Sequence, residues 1–439
     1  MRWLIVLATF LLSVLLYVDR VAISVAESSV MADLSLTKTQ MGWVFSAFSL
    51  GYALFQTPGG RLADRLGARK VLSGIVTVWS IFTGLTALAG SWSAMLIVRF
   101  LFGAGEAGAF PGMASVVYSW IPMKERGLVQ GINFSGSRLG AAFALPVIAA
   151  LLTLVGWRTA FVMLMCVGFA WAIAWYLFFR DDPTEVGWLD ELEREKIIKL
   201  RQPRDDRRDG RRGGVPIAMM ITNRSIWALC AQYFASNFTF FFCLTWYFPQ
   251  LKTQYALTGL QASLYAAMPL ACGALGNWLS GWWVDRLYQA NRWRLSRRLP
   301  ASIGFVLAAT GILGSMHAAT PLSSSLWFSM AILGADMTLS PSWSTCIDIG
   351  RSNAGVVSGT MNMAGNIGSF VTALAFPYLL VWTGSSQPFF YIAAGLNVLA
   401  VIGWCLVDPT RPLDGHFAEP VGEQVVMPAN IGQRTEDQS

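Results

Sequence analysis

The stretch Gly103-Ala-Gly-Glu-Ala-Gly108 (GAGEAG) has two readings, and the choice between them decides the fold. Spelled G-x-G-x-x-G, it is the dinucleotide-binding fingerprint, with Glu125 near the spacing of a ribose-binding acid. That motif needs a strand before it and a helix opening on its glycines. Here Ile97–Phe102 (IVRFLF) and Ala109–Trp120 (AFPGMASVVYSW) continue one apolar run on either side. The glycines then read as close-packing positions between membrane helices. Glu106 becomes an acid in the middle of a span.

Composition supports the membrane reading. Of 439 residues, 54% are hydrophobic and 13% charged, where soluble domains carry roughly 25% charged. The 19 Trp and 27 Phe suit membrane interfaces and lipid-facing helices. Apolar runs of about 20 residues can each cross a bilayer as a helix. Twelve are predicted, at about 3–30, 40–61, 71–90, 93–119, 127–153, 157–179, 224–251, 260–284, 299–317, 324–348, 354–381 and 387–406. The expected fold is an all-α membrane protein with twelve transmembrane helices in two pseudo-symmetric six-helix bundles. The expected division is an N-terminal bundle at 1–180, a cytoplasmic linker at 181–223, a C-terminal bundle at 224–407 and a cytoplasmic tail at 408–439.

Lys and Arg set the orientation. With the N-terminus in the cytoplasm, outside loops hold only Lys38, Arg158 and Lys252. The other basic residues outside the spans face inward, as the positive-inside rule requires. Both termini are therefore expected in the cytoplasm. The basic run Arg204–Arg212 alternates with acids and lacks aromatics, so it reads as a solvated linker touching lipid and not as a nucleic-acid site. A cleaved signal peptide is the rival reading of the N-terminus. Asp19-Arg20 interrupts the run it would need, and the even span count requires the segment to stay. Six cysteines (Cys166, Cys230, Cys243, Cys272, Cys346, Cys405) are scattered singly, and His317 and His416 are far apart. No metal site, cofactor or enzymatic triad is expected.

The halves echo each other. Gly60, Asp64, Arg65 and Arg69 lie in GRLADRLGARK after span 2; Gly281, Asp285 and Arg286 lie in GWWVDR after span 8. Asp and Arg at a cytoplasmic helix end can lock helices by ion pairing, and the recurrence tells against an ordinary charged loop. Glu106 precedes Pro111 by five residues, as Asp336 precedes Pro341. Asn133, Gly136 and Ser137 on span 5 match Asn362, Gly365 and Asn366 on span 11. Together these echoes support two halves with a site between them.

Six charges fall within spans at depth: Asp19, Arg20, Arg99, Glu106, Arg138 and Asp336. Each is costly there unless paired, neutralised or hydrated, so each is a functional candidate. The conservative reading is a structural ion pair, or snorkelling for Arg138 and Asp336. Arg99 and Glu106 are two turns apart, about 10 Å along one helix face, too far to pair simply. Each is expected to face Asp19 or Arg20. An anionic substrate needs a fixed cation, Arg20 first and Arg99 next. Proton coupling needs a carboxylate that becomes neutral when a substrate draws its arginine away.

The sequence resembles the major facilitator superfamily through GRLADRLGARK. Within it, YVDRVAISVA, SAFSLGYALFQTPGG, RFLFGAGEAGAFP and GVVSGTMNMAGNIGS resemble the anion:cation symporters, which include hexonate, hexuronate and glucarate transporters and sialin-type carriers. The resemblance is greatest to D-galactonate transporter-like proteins. It implies that Asp19 and Glu106 carry protons, coupled to Arg20 and Arg99. It places sugar-acid contacts at Tyr17, Arg20 and Tyr52, and at Ser340, Trp343 and Asn362. One departure is Ser137, where the galactonate type has glutamine, followed by Arg138. This leaves room for an aldarate, a hexuronate or a more apolar carboxylate, and Ser137 joins the candidate binding residues. The expected function is a monomeric proton-coupled symporter importing small organic anions, sugar acids foremost, across the bacterial inner membrane. The alternatives are a transporter of other carboxylates, such as aromatic acids or small peptides, and a membrane sensor that has lost transport.

Overall fold

The computed structural model describes residues 2–121, 126–186, 190–200, 220, 222–350 and 354–409. Glu125, the run Arg204–Arg212, His416 and the side chains of Asp64 and Arg65 lie outside the described residues, as does the packing around Gly60. Among the described residues there is no strand. The dinucleotide reading of GAGEAG therefore lacks the strand it requires.

Among the described residues, eight helices are long and apolar enough to cross a membrane by length and composition. One of them, Gly131–Phe178, contains most of spans 5 and 6. The parent helix Arg126–Phe178 turns between them at Gly156, whose φ of 75° is a left-handed conformation that glycine adopts freely. Spans 2, 8 and 10 also fold as helices, at Lys38–Leu66, Gly259–Gln289 and Pro321–Met337 with Leu339–Gly350. Their polar, glycine and proline residues dilute the hydropathy, and the break in span 10 leaves pieces of 17 and 12 residues.

The repeat between halves reaches the helix ends. Thr37 and Gln40 form a capping box at the start of span 2, and Thr258 and Gln261 form the same box at the start of span 8. Each satisfies two backbone donors that a helix N-terminus leaves open. Ser91 and Thr320 cap spans 4 and 10 in parallel fashion.

The breaks recur too. Spans 1 and 7, predicted as continuous to 30 and 251, are interrupted: Arg2–Val25 is followed by Glu27–Leu34, and Arg224–Thr245 by Tyr247–Gln254. Span 4 breaks between Glu106 and Ala109, and span 10 between Met337 and Leu339. Glu106 is the last residue of its helix segment, and Asp336 the penultimate residue of the matching one.

Packing follows from where side chains are small. A Cβ on Gly103 would lie 2.1 Å from the Phe48 carbonyl oxygen, and one on Gly51 the same distance from that of Phe100. Spans 2 and 4 thus touch backbone to backbone, which only glycine permits. Between the bundles, span 2 packs on span 11 and span 5 on span 8.

Candidate functional site

Spans 1, 2 and 4 bring four of the in-span charges together. Asp19, Arg99 and Glu106 are all at most 2% exposed. Arg20 Nε donates to Glu106 Oε1 at 2.8 Å. Arg20 Nη2 and Glu106 Oε2 make no hydrogen bond within the chain, so the contact is one-pronged. The Arg20 guanidinium sits among three rings, 4.9 Å from the centroid of Tyr17, 5.1 Å from Phe48 and 4.7 Å from Tyr52. Such ring faces attract a cation without using its N–H groups.

Arg99 lies over Phe102 at 4.4 Å and Phe48 at 5.5 Å. Its Nε is unpartnered within the chain. It acts electrostatically on Asp19, as does Glu106. The Trp79 indole faces the Asp19 carboxylate and interacts with it, but neither Asp19 oxygen accepts a hydrogen bond of full geometry within the chain. Several charge-bearing atoms of this cluster are therefore open to a further partner.

Arg138 and Asp336 lie far apart in sequence and meet across the two bundles. Arg138 Nε and Nη2 each donate to one Asp336 oxygen at 2.7 Å. Arg138 Nη1 donates to the Tyr17 hydroxyl at 3.3 Å, and the guanidinium lies 3.7 Å from the Phe240 centroid. The side chains are 8% and 2% exposed. Of the two conservative readings for this pair, snorkelling does not fit that burial, whereas a structural ion pair does. Gly273 on span 8 admits the acid: a Cβ there would stand 2.3 Å from an Asp336 carboxylate oxygen.

The remaining candidates, apart from Ser137 on span 5, are spread over the C-terminal half. Trp343 Nε1 donates to the Tyr233 hydroxyl at 3.2 Å, with the rings edge to face. Tyr233 is within electrostatic range of Arg138 and Tyr17. Ser340 and Asn362 are half-buried on spans 10 and 11. Among the described residues no hydrogen bond joins either side chain to the charges of the N-terminal half. Ser137 is buried, and its Oγ makes no hydrogen bond within the chain. Sequence reasoning missed Tyr233, Phe240, Trp79 and Gly273, because nothing in an apolar helix marks which aromatic or glycine meets a distant charge.

At the face that the charge pattern puts outside, the halves are closed on each other. Ser24 Oγ donates to the Thr245 carbonyl at 2.6 Å, and Ser46 Oγ to that of Phe370 at 3.0 Å. Trp43 Nε1 reaches the Tyr378 hydroxyl, and Lys252 Nζ reaches Ser28 Oγ. Phe48 and Phe241 lie parallel across the divide. Between this seal and the charges is a cavity of ≈ 10 Å³ bordered by Arg20, Arg99, Phe45, Phe241 and Thr245. That is room for about one water.

Of the loop-motif candidates, Arg69 donates its backbone N–H to Asp181 Oδ1 and its Nε to the Tyr176 carbonyl. It thus ties the loop to the end of span 6 in its own half. Asp285 and Arg286 are exposed and form no ion pair among the described residues, while Arg286 lies over Trp282 at 5.3 Å. In the C-terminal half, the buried clasp is Arg297 Nε to Asp348 Oδ2 at 2.9 Å, with the Trp293 indole donating to the same oxygen.

Comparison with known proteins agrees with this architecture. Residues 9–373 match the family model described as Major Facilitator Superfamily. The chain is 31% identical over 399 residues to a probable sulfoacetate transporter of Cupriavidus necator, covering 91% of this chain and 92% of that one. It is 28% identical to the hexuronate transporter of Bacillus subtilis, over 97% and 98% of the two chains. Among solved structures, it superposes on an inward-facing, unoccupied bacterial homolog of the human lysosomal transporter Spinster with a TM-score of 0.70 and 19% identity, over 92% of this chain and 98% of that one.

Proposed function

Because the chain belongs to the major facilitator superfamily, we propose that it is a proton-coupled symporter importing small organic anions, sugar acids foremost, by alternating access. The observation that carries this reading is the half-satisfied Arg20–Glu106 pair in a cluster of two arginines and two carboxylates. A substrate carboxylate fits the open prong of Arg20 and competes with Glu106 for it. Losing its arginine in a desolvated site favours the protonated form of Glu106, so anion and proton bind together. Asp19, facing Arg99, is the second proton carrier. Tyr17, Tyr52, Ser137, Ser340, Trp343 and Asn362 supply hydroxyl, amide and ring contacts for a polyol chain. The relative named for hexuronate supports the sugar-acid class.

The same reading places a monomer in the bacterial cytoplasmic membrane with both termini inside, and the two bundles at 1–180 and 224–407. With the outer face sealed, this arrangement opens inward, and rocking the bundles exposes the site alternately. The loop motifs at Gly60, Asp64, Arg65 and Arg69 and at Asp285 and Arg286 then gate the cytoplasmic side.

The test is uptake of a sugar-acid panel into proteoliposomes under an imposed inward proton gradient. Accumulation of at least one member, abolished by Glu106→Gln, is the expected result. Gradient-driven accumulation that survives Glu106→Gln removes the coupling role. One observation favours a second reading, short anions other than sugar acids: the relative named for sulfoacetate. Ser137 fits that reading, since its side chain reaches fewer hydroxyls than glutamine. Thermal shifts across a carboxylate and sulfonate panel separate the two.

A further inference from the structure

The two arginine–carboxylate pairs of the site differ in a way that bears on substrate charge. In the N-terminal half, Arg20 and Glu106 share one hydrogen bond, and each keeps a buried polar atom unused. Between the halves, Arg138 and Asp336 share two, and the third Arg138 nitrogen is taken by Tyr17. The far face of that guanidinium is covered by Phe240. Arg20 therefore has a nitrogen wholly unengaged, whereas every nitrogen of Arg138 already makes a bond and its charge is balanced by a two-pronged carboxylate.

We propose that Asp336 is a specificity-determining residue: it occupies Arg138, so the site binds the single negative charge of a monoanion and rejects a second one. This deepens the sugar-acid reading above and rests on it. A second carboxylate on the substrate must either displace Asp336 from Arg138 or lie beside the intact pair. Displacement leaves Asp336 a buried anion without its partner, next to another anion, where loss of one member of a buried pair is strongly unfavourable. Lying beside the pair gives the charge no unbalanced cation in a desolvated place, which is also costly. A neutral hydroxymethyl or aldehyde end meets neither difficulty. Tyr17, Tyr233 and Trp343 line that side with hydroxyl and ring surface suited to it. Gly273 belongs to the same device, since a side chain there would crowd the carboxylate that pairs with Arg138.

The experiment uses full-length purified protein and matched pairs of acids differing only at the terminal carbon: gluconate with glucarate, and galactonate with galactarate. Dissociation constants come from ligand-induced thermal stabilisation in detergent. For the wild type, the hexonate is expected to bind at least tenfold tighter than its aldarate. In Asp336→Asn, Arg138 gains a free donor and an unbalanced charge, and the ratio is expected to fall at least tenfold. In Arg138→Gln with Asp336→Asn, both charges are gone and the ratio returns towards the wild-type value. Wild-type binding of both acids without preference, a preference for the aldarate, or an unchanged ratio in Asp336→Asn overturns this inference while leaving the sugar-acid reading in place. Binding of neither acid of either pair overturns the sugar-acid reading and this inference with it. If Asp336→Asn does not fold, Asp336→Ser probes the same point, and the wild-type ratio decides on its own.

Discussion

Gly103→Ala is the most informative perturbation of the scaffold, because its size follows from geometry. The new Cβ would stand 2.1 Å from the Phe48 carbonyl oxygen and 3.0 Å from the Tyr52 nitrogen, both backbone atoms. Ordinary contact begins near 3.4 Å. Neither atom can rotate away, so span 4 must retreat from span 2 by about 1.3 Å or tilt to the same effect. Overpacking of this kind costs ~1–3 kcal/mol. For a bundle of this size that lowers the unfolding midpoint by roughly 2–12 °C. Span 4 also carries Arg99 and Glu106, while Tyr52 and Phe48 on span 2 flank Arg20. The displacement therefore stretches the 2.8 Å Arg20–Glu106 contact. The assay is thermal unfolding in detergent beside a control, Gly74→Ala, whose Cβ would meet nothing within 4 Å. There alanine adds helix propensity without strain, so the midpoint is expected to hold or rise slightly. Gly103→Ala as stable as the wild type would refute the backbone contact on which the packing argument stands.

Other outcomes follow from the same contacts. Ser24→Ala removes an inter-bundle hydrogen bond of about 1 kcal/mol, and is expected to raise the reactivity of a cysteine introduced at Thr245 severalfold towards an impermeant thiol reagent. Asp33→Asn removes a pair to Arg158 whose side chains are 45% and 41% exposed; a change of less than about 1 kcal/mol is expected, read as a small midpoint shift that shrinks further in high salt. Arg297→Gln leaves the Asp348 charge without its arginine and with the Trp293 indole still donating to it; it is expected to lower the midpoint by several degrees, with Asp348→Asn in the same chain restoring much of it. Gly67→Ala forces a side chain into a φ of 81° against Asp181; a loss of ~1 kcal/mol or more is expected, larger than for Gly74→Ala.

Much of the architecture was legible because bilayer thickness imposes a length that apolar runs reveal. The helix breaks were less so. Span 4 carries Pro111 and span 10 Pro341, yet the segments end at Glu106 and Met337, four or five residues earlier. Proline signals that a helix is disturbed; where the backbone departs depends on the neighbours that accept the freed groups. The break in span 7 lies just before Pro249, which cannot donate to the Thr245 carbonyl, while that in span 1 at Ala26 has no proline or glycine near it to announce it. For the site, the cost of burying charge singled out all six in-span residues. Which acid meets which arginine was not readable. Glu106 is 86 residues from Arg20, and Asp336 is 198 from Arg138. Such pairings depend on how helices are rotated about their axes, which a single sequence does not record. The loop motif drew attention to Asp285 and Arg286, whereas the buried clasp of that half is Arg297 with Asp348.

The outer seal has a consequence for how readily it opens. Two of its bonds run from a serine hydroxyl to a backbone carbonyl, at Thr245 and Phe370. A hydroxyl released from such a bond can turn to a carbonyl of its own helix one turn back, as Thr9, Ser73 and Thr83 do here. The Phe370 carbonyl left behind remains within a helix, whereas Thr245 ends its helix segment four residues before Pro249, which has no N–H to offer it. Parting the halves at these points breaks no ion pair, and the Thr245 carbonyl exchanges the Ser24 hydroxyl for the water that enters. The closed and parted forms then differ by only a few weak contacts. A gate so shallow in free energy needs only a small difference in ligand affinity between the two forms to invert their populations.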